Sequence, residues 1–402
     1  MKATGRTTNG EWPKVALDEV AELNPRLAEM LAADETVSFV PMSAVSAETA
    51  GIIDEETRTY AEVAKGYTSF VSGDVLVAKI TPCFENGKIV QARLTQRAGF
   101  GSTEFHVIRP RANKLDARYT LHFLRLGHVR LAGERRMTGS AGQRRVPESF
   151  LAKLEIPLPP LVEQRRIAEI LDRAEALRAK RRASFAELES LAQSIFLDLF
   201  GDPATNPKSW PIREIRDLLE SATYGTSEKS GPVGEFPVLR MNNITRTGGM
   251  DFTDLKFMDL DVSQRERYLV RTGDVLFNRT NSADLVGKSA IFRETKQMAY
   301  AGYLVRLRVN PKSDPEYLSA FLNTGYAKRM LRGMCKSIIG MANINATEVQ
   351  AMKIPLIPLP LQRDFSRRIQ AMEKLKTVQR TSLAELDALF STLQHRAFQG
   401  EL

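Results

Sequence analysis

The residues best equipped for chemistry are polar donors and cations placed just after apolar runs. Asn278-Arg279-Thr280-Asn281-Ser282 follows a stretch that reads as a strand, with Lys288 shortly beyond, and Lys79-Ile80-Thr81 with Lys88 stands in the corresponding place near residue 80. Loops after strands are exposed, and an arginine or asparagine there can pair with a base edge, worth roughly 1–3 kcal/mol of discrimination. A second pair of candidates is Gly139-Ser-Ala-Gly-Gln143-Arg144-Arg145 and Ser337-Ile-Ile-Gly-Met-Ala-Asn343-Ile344-Asn345. Solvated turns and plain surface charge compete with a nucleic-acid role for any one of these residues, and repeated placement favours the latter. The candidate DNA-binding set is therefore Lys79, Thr81, Lys88, Gln143, Arg144, Arg145, Arg279, Thr280, Asn281, Lys288, Asn343 and Asn345.

Catalytic patterns are harder to find. Gly287-Lys288-Ser289 resembles the end of a phosphate-binding loop, but Ser282 stands where the earlier glycine is required, so no nest of backbone N–H groups is expected. Asn24-Pro25-Arg26, Asn206-Pro207-Lys208 and Asn310-Pro311-Lys312 read as turns, since no aromatic follows to stack on a target base. Asp254-Leu255-Lys256 has nuclease-like spacing without an acidic partner. The histidines 106, 122, 128 and 395 have no metal-ligand spacing, and Cys83 and Cys335 suit neither a zinc site nor a disulfide framework. No catalytic residues, metal or bound cofactor are expected on this chain.

The elements that must position these loops come from a sequence written twice. Trp12-Pro13 returns as Trp210-Pro211 and Ile156-Pro-Leu as Ile354-Pro-Leu, both 198 residues on. The offset persists through Tyr119 and Tyr317, Gly142 and Gly340, Gln164-Arg165 and Gln362-Arg363, and Phe200 and Phe398. Within each copy the phase slips by two, as Gly73-Asp-Val-Leu76 answers Gly273-Asp-Val-Leu276. So long a period marks domain-sized copies rather than solenoid units of about 20–50 residues. Each copy joins a mixed segment to a helical one across a proline cluster. Val37–Val40, Asp74–Ala78 and Phe105–Arg109 read as strands and Tyr119 to Leu131 as a helix. After the first cluster, Ile167, Leu171, Ala174, Leu177, Phe185, Leu188, Leu191, Ile195 and Leu199 predict a helix of about 40 residues closed by Gly201. Phe365, Ile369, Met372, Leu375, Leu383, Leu386, Leu389 and Leu393 repeat that seam, with Arg181 and Gln379 as its polar, register-setting positions.

The expected fold is thus α/β (α+β) domains in tandem, separated by two long helices pairing as an antiparallel coiled coil. A pseudo-twofold, cyclic arrangement would bring Leu402 near Met1. The expected divisions are 1–155, 156–203, 204–353 and 354–402. Composition agrees with a globular chain: 43% hydrophobic and 26% charged, with a formal charge of +9 that suits a polyanion. The polar Met1 to Gly10 and the lack of a long apolar run point to the cytoplasm.

Order, spacing and repeat together resemble the specificity subunit of type I restriction-modification systems, over essentially the whole chain. The carriers are Ile156-Pro-Leu-Pro-Pro-Leu-Val-Glu-Gln-Arg-Arg-Ile167, its degraded second instance Ile357-Pro-Leu-Pro-Leu-Gln-Arg-Asp-Phe365, the two Gly-Asp-Val-Leu elements and Asn343-Ile344-Asn345. The resemblance implies two target-recognition domains, each reading half of an interrupted double-stranded DNA target, and helical spacers that set the gap. It also implies two methyltransferase subunits docked along the helices and motor-nuclease subunits. S-adenosylmethionine, ATP and Mg would belong to those partners. The competing readings are a two-headed protein scaffold with only non-specific DNA affinity and a DNA-modifying enzyme with an unfamiliar site.

Overall fold

The computed structural model describes residues 12–140, 142–282, 285–338 and 341–402. Met1 to Gly10, Ala141, Ile339 and Gly340 lie outside the described residues, and with them the Gly142–Gly340 echo and the expected approach of Leu402 to Met1. The chain divides into two units, Met1–Arg182 with Thr381–Leu402, and Ala183–Arg380. Both divisions fall inside the two long helices, Leu161–Phe200 and Leu359–Gln399, of 40 and 41 residues.

Each unit is built on the same pair of four-stranded sheets. In the first, Ala21–Leu23, Phe105–Pro110, Val75–Ala78 and Ile89–Gln91 lie side by side, all antiparallel. Its second sheet orders Glu56–Thr59, Thr36–Val40, Gly99–Gly101 and Thr68–Phe70, with one parallel pair between Thr36–Val40 and Gly99–Gly101. The second unit reproduces both: Leu219–Tyr224, Leu304–Val309, Val275–Asn278, Ser289–Ile291, and Lys256–Met258, Phe236–Leu239, Met298–Tyr300, Leu269–Val270, again with a single parallel pair. The central strands Val75–Ala78 and Val275–Asn278 are continuous apolar runs because both of their faces are covered. Val75 and Val77 pack toward Tyr119, Ile167 and Leu171, while Leu76 packs between the sheets with Val40, Phe70 and Phe105. Val275 with Phe277, and Leu276, divide in the same way.

The Gly-Asp-Val-Leu element has a structural cause. Gly73 and Gly273 adopt φ of 97° and 93°, which glycine tolerates without steric cost. The following aspartate caps the turn and takes a paired contact from an arginine of the neighbouring strand: Asp74 from Arg109 at 2.8 Å, Asp274 from Arg308 at 2.8 Å. The expected helix from Tyr119 to Leu131 is two helices, Ala117–Leu124 and Gly127–Glu134. Leu126 between them is buried and has an extended ψ of 135°, which ends one helix and starts the next.

Each long helix is fastened to its domain at its first turn. Gln164 is fully buried; its side-chain oxygen accepts Asp116 N–H at 2.8 Å and its amide donates to the carbonyls of Lys114 and Pro159. Gln362 accepts Asp314 N–H at 2.8 Å and donates to Ile357 O. Tyr119 and Tyr317 donate to Pro157 O and Pro355 O beside them. The helices pair antiparallel within each unit. In the first, Arg166 donates to Leu402 O and Arg178 reaches Asp387 at 2.6 Å while lying over Phe390. In the second, Arg380 lies over Phe185, and Phe196 and Phe200 pack on Phe365. Gly201, at φ 83°, ends the first helix as expected.

The expected seam is rotated near its middle. Leu177, Leu191, Leu375 and Leu389 are 56%, 43%, 46% and 53% exposed. Heptads counted from the clamped Gln164 run to Leu171, Arg178 and Phe185, so Arg178 takes the inward position that Leu177 was expected to hold. From Gln362 they run to Ile369, Lys376 and, two heptads on, Phe390. Exchanging Gln164 or Gln362 for leucine should cost about 2–4 kcal/mol in denaturant unfolding, because buried backbone groups lose their partners. Leu177→Ala or Leu375→Ala should stay within about 0.5 kcal/mol.

Candidate nucleic-acid interface

Backbone pairing brings the two candidate regions of each copy together. In the first unit Thr81 N–H donates to Arg144 O at 2.9 Å and Val146 N–H to Lys79 O at 2.8 Å, while Arg145 bridges both Ile80 and Thr138. In the second, Ile344 N–H donates to Arg279 O at 2.9 Å, and Thr280 and Asn281 pair with Asn343 and Ala342. There the pairing extends to a three-stranded sheet, Thr280–Asn281, Met341–Asn343 and Lys336–Ile338. Segments some 60 residues apart in sequence thus form one surface in each unit.

Several candidate side chains serve that frame directly. Lys88 donates to Met42 O at 2.8 Å; Lys288 donates to Met241 O and Ile244 O at 2.8 and 2.6 Å. Each ammonium ties the loop that follows the central strand to a short turn of the other sheet. Burial pushes Lys288 below the ordinary lysine range, with Arg246 adding to the effect. Thr81 donates to Glu85 at 2.7 Å. Thr280 is buried, and the Asn281 side chain accepts the Ser282 N–H. Asn345 caps helix Ala346–Gln350 in a reciprocal box with Glu348, which stabilises such a turn by about 1 kcal/mol.

The remaining candidates are exposed or half-buried. Gln143 is exposed, and Arg144 lies 3.8 Å from Glu85. Lys79 is half-buried beside Glu104. Arg145 makes a paired contact with Glu104 at 2.7 and 2.9 Å, which holds that carboxyl below its usual range. In the second unit the Arg279 guanidinium lies 4.9 Å from the centre of the Tyr224 ring. Its Nε and the Asn343 Oδ1 are buried without a hydrogen-bond partner. Sequence reasoning missed Glu104, Tyr224 and Tyr303. Their only signal is position beside a strand, and pairing alone carries them to the loops. Asn24, Asn206 and Asn310 make turns, Asn206 with φ of 44° and a two-way bond to Trp210. Among the described residues no cluster of His, Cys, Asp and Glu could hold a metal, and no helix is long and apolar enough to cross a membrane.

Behind the second loop, Lys328 donates to Gly287 O at 2.6 Å, where the first unit has Arg130 donating to Glu85 O. Burial, with Lys288 adding to it, lowers Lys328 to about 8. Above that pH the unfolded chain keeps a proton that the folded chain has lost, so stability rises with pH. Between pH 8 and 9.5 the gain should be about 2 kcal/mol. Unfolding curves of Lys328→Met across that range should lack it.

Each unit thus carries a double sheet whose edge presents a rim of cations and amides, the frame repeated with different side chains. The family described as "Type I restriction modification DNA specificity domain" matches residues 9–188. The chain is 45% identical over 157 residues to the Escherichia coli EcoEI type I specificity subunit, covering 39% of this chain and 26% of that one. To the EcoKI specificity subunit of Escherichia coli K12 it is 26% identical over 277 residues, covering 64% and 59%. It spans about a quarter of the length of the EcoEI and EcoAI subunits. Two solved structures share the fold: a chain from a type I restriction-modification assembly (TM-score 0.58, 20% identity, 98% of each chain) and the S subunit from M. genitalium (0.57, 15%, 99% of each). Residues 9–188 thus resemble the type I restriction modification DNA specificity domain, and the chain is similar in sequence and fold to specificity subunits of such systems.

Proposed function

We propose that this chain is the non-catalytic specificity subunit that reads a bipartite, interrupted target in double-stranded DNA and directs methyltransferase and restriction subunits to it. The observation that carries this reading is the repeated rim, the same backbone frame presenting different polar side chains in each unit. Direct readout needs a rigid backbone and variable side chains, and two frames with different side chains suit an asymmetric target. Residues 1–155 and 204–353 are proposed as the recognition domains, and 156–203 and 354–402 as spacers that set the gap between half-sites.

Within the DNA-binding set, Lys79, Gln143, Arg144, Arg279 and Asn343 are the proposed contacts to DNA. Thr81, Lys88, Arg145, Thr280, Asn281, Lys288 and Asn345 hold the loops in shape. The chemistry then belongs to partners that carry S-adenosylmethionine, ATP and Mg, and the complex acts in the cytoplasm. Leu177, Leu191, Leu375 and Leu389 form repeat-related apolar rows on the helices, suited to two docked methyltransferase subunits. The same rows favour the second reading, a two-headed protein scaffold, whose DNA binding would lack sequence preference and weaken uniformly with salt.

Methylation mapping in a host that carries this gene and its neighbours should return two short half-sites with a fixed gap. A continuous motif, or none, excludes the specificity reading. Leu177→Glu combined with Leu375→Glu should abolish co-purification of methyltransferase subunits while leaving the thermal unfolding of the chain unchanged.

A further inference from the structure

The two units share a frame but treat its cations differently. The equivalence is fixed by one backbone bond: Lys79 N–H donates to Glu104 O at 2.8 Å, and Arg279 N–H donates to Tyr303 O at 3.0 Å. Glu104 and Tyr303 each stand just before a sheet strand, Phe105–Pro110 and Leu304–Val309. In the first unit the Glu104 carboxylate binds Arg145 through both of its oxygens and lies close enough to Lys79 to feel its charge. Arg145 is therefore balanced by an internal anion. In the second unit Asn343 replaces Arg145 and the neutral Tyr303, 51% exposed, replaces Glu104. Among the described residues no carboxylate pairs with Arg279.

Arg279 is nevertheless oriented. Its guanidinium rests beside the Tyr224 ring, and the Tyr224 hydroxyl accepts Ala346 N–H at 2.9 Å, which anchors the ring to helix Ala346–Gln350. With Nε turned inward and buried, the free edge of the guanidinium is its two terminal nitrogens. That parallel pair of donors matches the O6 and N7 acceptors of guanine in the major groove. Stacking on an aromatic reduces the entropy lost when such a contact forms.

Resting on the DNA-reading function above, we propose that Arg279 reads a guanine in one half-site, and that the Glu104/Tyr303 position is the specificity-determining switch of each unit. A carboxylate at that position withholds the arginine it pairs with from the DNA; a neutral aromatic leaves the neighbouring arginine available.

The test is binding selection from a randomised duplex library by the full-length chain assembled with its partner subunits. The unaltered complex should select a bipartite motif with a guanine in one half. Arg279→Ala and Tyr303→Glu should each reduce the preference for that guanine by roughly 10- to 100-fold. Tyr303→Phe should retain it, and the other half-site should be selected as before, which shows that the altered chains fold. Glu104→Gln should add a guanine preference in the other half. An Arg279→Ala complex that binds every sequence more weakly by one factor would mark a phosphate contact and overturn the proposal, as would a guanine preference untouched by Tyr303→Glu. An unaltered complex that selects no motif removes the DNA-reading function itself, a result distinct from either.

Discussion

The buried glutamine at the head of each long helix is the constraint on which the other features depend. Gln164 and Gln362 each satisfy backbone groups of a domain from a helical side chain that has no water to turn to. A buried amide with its partners in place specifies one geometry, because any rotation leaves donors and acceptors unpaired at a cost of about 1–3 kcal/mol each. From that fixed first turn the heptad count decides which side chains meet the partner helix. Arg178 therefore faces Asp387 and Phe390, and Leu177 faces outward.

Rigid attachment matters because readout depends on where a few side chains end. The loops are held by cations used inwardly: Lys88 and Lys288 on carbonyls of the opposite sheet, Arg130 and Lys328 on the turn itself. These groups add to the positive charge of the chain, yet they act as staples. The units differ at the rim, where Glu104 and Arg145 neutralise one another in one unit and, in the other, no carboxylate among the described residues pairs with Arg279.

Much of the architecture was legible from the residues. The 198-residue offset, the proline clusters and the heptads announced two copies and two long helices, and the strands around Val37, Val75 and Phe105 form near where alternation and apolar runs placed them. The errors have local causes. Counting every leucine near the heptad period as inward misassigned Leu177, Leu191, Leu375 and Leu389, because hydrophobicity alone does not record the register imposed by a buried amide at the helix start. The split between Leu124 and Gly127 was invisible because Leu126 is apolar and its extended backbone answers to burial.

Fold class, repeat and the general location of the polar loops followed from pattern, since periodicity and turn residues are local properties that survive in one dimension. The assembly of the rim was a matter of long-range pairing. Thr81 meets Arg144, Arg279 meets Ile344, and Glu104 and Tyr303 arrive from strands with no motif of their own. Charge and spacing along a chain can say that an arginine is present. Whether it is neutralised, stapled inward or held out on a tyrosine ring depends on neighbours 41, 45 or 55 residues away, and folding chooses them.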